Sequence, residues 1–320
     1  MSENNTKIGL GLAALGRPEY INIRDNSSID KSEAAFKHNT LSVLDEAYNL
    51  GVRYFDTAPS YGKGEAFLQD WNDSRAHKDI VLGTKWGYTY VANWELGYNG
   101  KHEIKEHSLE KLLEQWQVSK NLLPNLKYYQ VHSATFDSGI LENKAVLNEL
   151  FEIKKATGLK IGITTSGANQ KEVIALASKI MIGDTPLFDS FQVTYNLFEQ
   201  DTFDVLKKLL QHGKDVIIKE ALANGRVFSS DSFQNYKATY KILNQLAVKY
   251  KVGIDAIALR FVIDSLKPTY VLSGASNMRQ LKENMKALEF SFLKEELRML
   301  QTLKVLPPAY WEERNQLSWN

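Results

Sequence analysis

Four side chains in the first half of the chain could do chemistry together: Asp56, Tyr61, Lys85 and His132. Asp56 and Tyr61 lie in Phe55-Asp56-Thr57-Ala58-Pro59-Ser60-Tyr61-Gly62-Lys63-Gly64-Glu65, where an apolar run at 52–55 passes into a Pro/Gly-rich turn. Lys85 follows Ile80-Val81-Leu82-Gly83-Thr84, and His132 follows Tyr128-Tyr129-Gln130-Val131. A phenol titrates near ~10 in water. An ammonium within hydrogen-bond reach favours its phenolate, and a carboxylate behind that ammonium keeps it charged and oriented. An imidazole beside them could orient a carbonyl oxygen or share the proton. The set suits protonation of an oxyanion as hydride reaches its carbon, or the reverse. Taken singly, each has an ordinary explanation: a turn acid, a packed ring, a solvated strand end, a satisfied buried histidine. Their delivery by three consecutive strands favours catalysis.

Eight short apolar runs read as the strands that must position these groups: 8–12, 52–55, 80–84, 128–131, 159–164, 190–193, 216–218 and 270–272. Helical periodicity follows each, as in Leu109, Leu112, Leu113 and Trp116, or Phe203, Leu206, Leu209 and Leu210. Gly51, Gly158 and Gly213 fall between a helix and the next strand, where a left-handed cap is wanted. Runs that are apolar throughout predict a parallel sheet buried on both faces. Eight near-equal units predict closure into a (β/α)8 TIM barrel, a single domain over 1–320, rather than an open doubly wound sheet. Long stretches at 13–37, 86–105 and 220–235 follow strands one, three and seven, which puts them at the C-terminal face where barrel sites are built. Helical patterns at 254–265 and 293–303 are expected to be decorations, followed by an aromatic C-terminal tail.

The bulk composition of the 320 residues is ordinary for a soluble globular chain, 43% hydrophobic and 24% charged. A net charge of +1 carries no footprint for nucleic acid or an acidic membrane. No apolar stretch is long enough to span a bilayer, and the first residues lack the apolar region of a signal peptide, so a cytoplasmic location is expected. The chain has no cysteine, which excludes disulfides, thiolate nucleophiles and Cys-ligated zinc. His38, His77, His102, His107 and His212 show no metal spacing and are expected at the surface.

The sequence resembles the aldo-keto reductases along nearly its whole length. The likeness runs through Gly9-Leu10-Gly11-Leu12, Asp56…Tyr61-Gly62…Glu65, Thr84-Lys85, Val131-His132, Gly162-Ile163-Thr164, Gln192-x-x-Tyr195-Asn196 and Ser273-Gly274-Ala275-Ser276…Gln280…Asn284. It implies that Tyr61 is the general acid/base, that Lys85 and Asp56 depress its pKa, and that His132 positions the carbonyl of an aldehyde, ketone or sugar. It also implies NADP(H), or NAD(H), bound extended without a Rossmann motif; Gly9-Leu10-Gly11 indeed lacks the third glycine. Gly11 and Leu12 belong to that cofactor set. Gln192 with Thr164 or Thr165 would hold the nicotinamide carboxamide. Lys219, Glu220, Leu222, Asn224, Gly225 and Arg226 would line the ring and wrap the pyrophosphate. Gly274, Ser276, Gln280 and Asn284 would hold the adenosine half, with backbone N–H groups ahead of a helix as an anion site. Trp86 and Tyr88, with Trp94, would form a substrate wall, and Trp311 of the tail would fold over the site or pack outside the barrel.

Two positions depart from the family pattern. Where many relatives carry an aromatic that stacks on the nicotinamide, this chain has Lys219. A cation there would disfavour oxidised nicotinamide, unless Lys219 pairs with Glu220 away from the ring. Where NADPH-selective relatives carry arginine, this chain has Ser276, with Arg279 and Lys282 within a turn to compensate. NADPH is expected over NADH. The competing readings are a Schiff-base lyase or aldolase using Lys85 or Lys219, and a cofactor-binding redox sensor like potassium-channel beta subunits.

Overall fold

The computed structural model describes residues 7–20 and 30–318. Part of the 13–37 stretch, and Trp319 of the tail, lie outside the described residues. Eight strands close into a parallel barrel in chain order: β1 (Lys7–Gly11), β2 (Tyr54–Asp56), β3 (Val81–Trp86), β4 (Leu126–Ala134), β5 (Lys160–Thr165), β6 (Ser190–Thr194), β7 (Asp215–Lys219) and β8 (Tyr270–Ser273). Closure comes from β1 pairing with both β2 and β8, Leu10 opposite Phe55 and Ser273. The TIM-barrel expectation is met, and the strands fall close to the predicted runs.

Helices α1 (Glu33–Asn49), α2 (Gly64–Arg75), α3 (Leu109–Ser119), α4 (Lys144–Thr157), α5 (Gln170–Ala177) and α6 (Phe203–Gln211) follow the first six strands. Side-chain caps start several of them: Ser32 accepts from the Ala35 N–H, Ser108 from Lys111 and Asn143 from Val146. Gly158 ends α4 at φ 72°, in the left-handed region its missing Cβ makes accessible. After β7 come α7 (Lys237–Tyr250) and α8 (Ile254–Leu266), after β8 come α9 (Met278–Met285), α10 (Lys294–Gln301) and α11 (Pro307–Asn315). Here the sequence reading needs correction. The helix at 254–266 is no decoration: α8 buries nine of its side chains and packs against α6, α9 and β8, so it fills the seventh place in the ring. Its apolar residues surround the helix axis and give it little one-sided character, which is why its pattern did not read as a ring helix.

Inward and outward positions alternate strictly along the strands. Ile8, Leu10, Phe55, Leu82, Tyr129, Val131, Ile163, Val193, Ile218 and Val271 point out into the main core beneath the helices. Tyr54, Tyr128, Ile217, Tyr270 and Leu272 form a separate cluster inside the barrel. Tyr54 stacks on Tyr270 at 4.3 Å and meets Tyr128 edge-on at 5.5 Å, making an aromatic floor. Glycines leave room for it: a Cβ on Gly83 would lie 2.4 Å from the Tyr54 hydroxyl, and one on Gly9 would lie 2.7 Å from its ring. Two residues beyond Tyr54, Tyr128 and Ile217 the inward positions become polar, at Asp56, Gln130 and Lys219.

Candidate active site

Directly above that floor sits a buried ion pair. The Lys85 ammonium donates to Asp56 Oδ2 and to the Thr57 carbonyl at 2.9 Å, and both side chains are at most 2% exposed. Asp56 Oδ1 accepts from the Tyr54 hydroxyl at 2.9 Å and from Gln192 Nε2 at 2.9 Å, with Gln130 Nε2 at 3.4 Å. Four strands therefore converge on one carboxylate, as a desolvated charge requires.

Tyr61 lies on the turn after β2, and that turn is locked to the loop after β1. Lys63 N–H donates to the Gly16 carbonyl at 2.7 Å, and a Cβ on Gly16 would lie 2.2 Å from the Tyr61 carbonyl. The Lys85 ammonium is 4.8 Å from the Tyr61 ring centroid, the Arg17 guanidinium 5.1 Å, and the His132 ring 5.6 Å. Burial pushes the Tyr61 phenol well above its ordinary range; Asp56 adds to the rise and Arg17 opposes it. The expected depression of this pKa is not found, because burial and the Asp56 charge outweigh the cations nearby. The folded protein holds Tyr61 as a neutral phenol.

His132 ends the regular part of β4. Its successor Ser133 has φ 52°, and the register with β5 shifts between Val131 and Ala134. Such a bulge re-aims a side chain at a barrel rim. Ser133 N–H is held by Thr164 Oγ1 at 2.6 Å, and the His132 carbonyl by His107 Nε2 at 2.9 Å. Burial, then the nearby Lys85 and Lys219 charges, drive the His132 pKa well below its usual value, so the imidazole is neutral. Its Nδ1 shares a hydrogen bond with the Ser60 hydroxyl at 3.4 Å, whose direction depends on the ring tautomer; with Nδ1 as acceptor the proton sits on Nε2.

Asp56, Tyr61 and His132 line one cavity of about 380 Å³, and Lys85 backs it from below. From one end of the cavity to the other, Tyr88, Gly11, Thr164, Gln192, Lys219, Glu220, Leu222, Asn224, Gly225, Gly274, Gln280 and Asn284 share its wall. The Lys219 ammonium donates to Thr194 Oγ1 at 2.9 Å, and burial lowers its pKa to about 8. Glu220, at φ 55°, is gripped by Arg314 of α11 through Nη2 at 2.6 Å and Nε at 3.1 Å, and Arg314 and Lys219 overcome burial to hold its carboxyl far below the usual range. Glu220 is thus matched mainly by Arg314.

Besides Lys85, seven expected contacts fall outside the cavity wall, and in three of them strand alternation is the reason. Leu12, Trp86 and Thr165 occupy the outward places next to inward Gly11, Lys85 and Thr164, so all three are buried toward the helices. Trp86 packs on His107 at 5.5 Å. Arg226 is fully buried over the Tyr310 ring at 4.2 Å and donates to the Ala223 and Tyr310 carbonyls and to Glu313 at 3.2 Å, so it anchors α11. Trp311 donates to Glu199 at 3.1 Å and is buried beneath α11. Ser276 gives its N–H and hydroxyl to Gln280 Oε1 at 2.9 and 3.0 Å. The N–H groups of Ala275 and Gln280 are likewise taken, by Ser273 Oγ and Asn277 Oδ1. Trp94 packs on Phe36 at 5.4 Å and on Phe67 rather than in the cavity. Of the other histidines, only His38 and His212 are exposed; His102 and His107 are buried and His77 stacks on Tyr48.

The cavity also holds Arg17, Tyr20, Glu103, Ser133, Ser166, Asp255 and Arg314, none of which the sequence singled out. Ser166 was within reach of pattern reasoning, since it is the next inward place after Thr164. Arg17, Glu103 and Arg314 arrive from three loops or helices far apart in the chain and carried no local signal. Among the described residues, no group of three His, Cys, Asp or Glu is placed to hold a metal ion, and no helix is long and apolar enough to cross a membrane.

One buried atom tests whether a nicotinamide group fits. Gln192 is fixed by its Nε2 on Asp56, while its Oε1 is buried at the cavity wall without a partner among the described residues. An amide donor would satisfy it.

Comparison with known proteins agrees with this fold. The profile of the aldo/keto reductase family matches residues 7–304. An uncharacterized oxidoreductase, YqkF, of Bacillus subtilis is 26% identical over 287 residues, covering 83% of this chain and 88% of its own. The NADH-specific methylglyoxal reductase of Escherichia coli K12 is 22% identical, covering 89% and 90%. Among solved structures, the holo form of the aldo-keto reductase AKR11C1 from Bacillus halodurans superposes with a TM-score of 0.67 at 21% identity, covering 97% of this chain and 95% of that one.

Proposed function

Because this chain belongs to the aldo/keto reductase family, we propose that it reduces the carbonyl of an aldehyde, ketone or sugar with a nicotinamide dinucleotide, Tyr61 supplying the proton. The observation that carries this reading is the meeting of a neutral phenol, a neutral imidazole and a buried ammonium–carboxylate pair at one cavity. The nicotinamide dinucleotide, when bound, supplies the hydride. Gln192 Oε1 and the Thr164 and Ser166 hydroxyls would hold its carboxamide, Leu222, Asn224 and Gly225 its pyrophosphate, and Gly274, Gln280 and Asn284 its adenosine half.

His132 Nε2–H orients the substrate oxygen, and Tyr61 protonates it as charge develops there. A raised phenol pKa does not oppose this step, since an alkoxide is about as basic as hydroxide, whose conjugate acid water titrates at ~15.7. The Lys85 ammonium beneath the ring then stabilises the phenolate left behind. NADPH is the proposed form. Lys282 is engaged by Glu46 at 3.0 Å, so recognition of a 2′-phosphate rests on exposed Arg279, and the ratio of kcat/KM for NADPH and NADH reads it directly.

Transfer of deuterium from the reduced nicotinamide carbon of labelled NADPH to the alcohol carbon of the product tests the proposal. A protein that binds NADPH but moves no label to any of a panel of aldehydes and sugars is not this reductase. Lys219, an amine titrating at about 8 within the cavity, favours imine chemistry as the second reading. Covalent labelling of Lys219 by borohydride with an aldehyde, without NADPH, would support that alternative.

Lys219 also makes a prediction for the reductase. As a cation beside the ring it disfavours the positively charged oxidised nicotinamide. Its lowered pKa places the charge below about pH 8 and removes it above. Binding of NADP+ relative to NADPH should therefore strengthen from pH 7 to pH 9, and Lys219→Met should strengthen it about tenfold at pH 7, or ~1.4 kcal/mol. Fluorescence titration with each form measures this; a ratio that ignores both pH and the substitution refutes it.

A further inference from the structure

We propose that Glu103, through its pairing with Arg17, makes this site select neutral, hydroxyl-bearing aldehydes and reject phosphorylated or carboxylated ones. The inference rests on the reductase reading and names the substrate class of that site. Arg17 lines the cavity, its guanidinium 5.1 Å from the Tyr61 ring centroid and 4.5 Å from that of Tyr20. In isolation it would be a receptor for an anionic substrate group.

The structure commits it elsewhere. Arg17 is 2% exposed, with Nη1 donating to Glu103 Oε1 at 2.7 Å and to the Ser60 carbonyl at 3.1 Å, and Nε to the Ala13 carbonyl at 3.3 Å. Glu103 comes from a hairpin in the loop after β3, where Tyr88–Tyr90 pairs antiparallel with Glu103–Lys105. Its side chain, 19% exposed against 2% for Arg17, lines the cavity, so the carboxylate is the more accessible charge of the pair. The second arginine of the cavity, Arg314, is paired with Glu220, and in that pair the guanidinium is the more exposed partner, 19% against 7%.

The cavity wall that Glu103 shares also carries groups that exchange hydrogen bonds with hydroxyls: Tyr20, Tyr88 and Ser133. A carboxylate beside them accepts from a substrate hydroxyl and repels a substrate anion. The remaining cation, Lys219, is held on Thr194 at the β7 side, which the reductase reading gives to the nicotinamide ring. Among the described residues the substrate side of the cavity thus offers acceptors and neutral donors, and each arginine there is already neutralised.

The experiment compares kcat/KM for glyceraldehyde and glyceraldehyde 3-phosphate with NADPH, in wild type, Glu103→Gln and Glu103→Asp. Wild type is expected to favour the neutral aldehyde by about tenfold or more. Glu103→Gln removes the carboxylate charge beside Arg17 and should shift that ratio about tenfold toward the phosphorylated aldehyde, mainly through its KM. Glu103→Asp keeps the charge and should keep the preference. A wild type that favours the phosphorylated aldehyde overturns the proposal, as does a folded Glu103→Gln with an unchanged ratio; circular dichroism and NADPH binding establish folding. Should Glu103→Gln not fold, the wild-type ratio and Glu103→Asp decide. No oxidation of NADPH with either aldehyde would instead refute the reductase reading itself.

Discussion

Tyr61→Phe is expected to lower kcat by about 10²–10⁴-fold, the range lost when a positioned acid is removed. NADPH affinity should stay within about twofold, because the hydroxyl faces the substrate side and the ring is retained. Stability should change little: the ring remains packed between Lys85, Arg17 and His132, and losing a buried hydroxyl relieves some desolvation. Single-turnover kinetics with preloaded NADPH separate loss of chemistry from loss of binding. A variant that keeps a tenth or more of the wild-type rate would show that water or His132 supplies the proton.

Lys85→Met carries the second large effect, and it falls on stability as well as rate. The substitution leaves Asp56 buried without its cation, with Tyr54, Gln192 and Gln130 still donating to it. Breaking one side of a buried pair costs about 3–5 kcal/mol. For a domain of this size that is a fall in Tm of roughly 10 °C. Turnover should fall as well, since the phenolate produced at Tyr61 loses its nearest positive charge. Pairing Lys85→Met with Asp56→Asn removes both charges, and should restore most of the Tm while leaving turnover low. That divergence distinguishes a catalytic ammonium from a merely structural one. If the double variant stays as unstable as the single one, the Asp56 charge is not the source of the loss.

Much of the architecture is carried by short-range pattern. Each strand holds a run of three to six mostly apolar residues, and three glycines at 51, 158 and 213 cap the preceding helices at positive φ. These features need no knowledge of distant residues, so eight units and a closed barrel could be read from them. Asp56, Lys85 and His132 were legible for the same reason: an acid, an amine and an imidazole stand out at the ends of apolar strands. Where the reading slipped within a strand, it ignored a period of two. Leu12, Trp86 and Thr165 sit beside inward residues, and alternation turns them toward the helices.

Other departures had no local remedy. Arg226 and Trp311 suggested a pyrophosphate grip and a substrate cover, yet both are spent on fastening α11, through Tyr310, Glu313 and Glu199. Helix α8 was misjudged because a helix enclosed on nearly all sides has no polar face to announce its place.

Residue types and their spacing were enough to specify a barrel and to bring an acid, an amine, a phenol and an imidazole to its mouth, because both follow from contacts between chain neighbours. Which charges are cancelled was settled by folding alone. Arg17 meets Glu103 across 86 positions and Arg314 meets Glu220 across 94. Burial, a property of the assembled molecule, sets Tyr61 and His132 neutral. The sign of the field a substrate encounters depends on those long-range pairings and that desolvation.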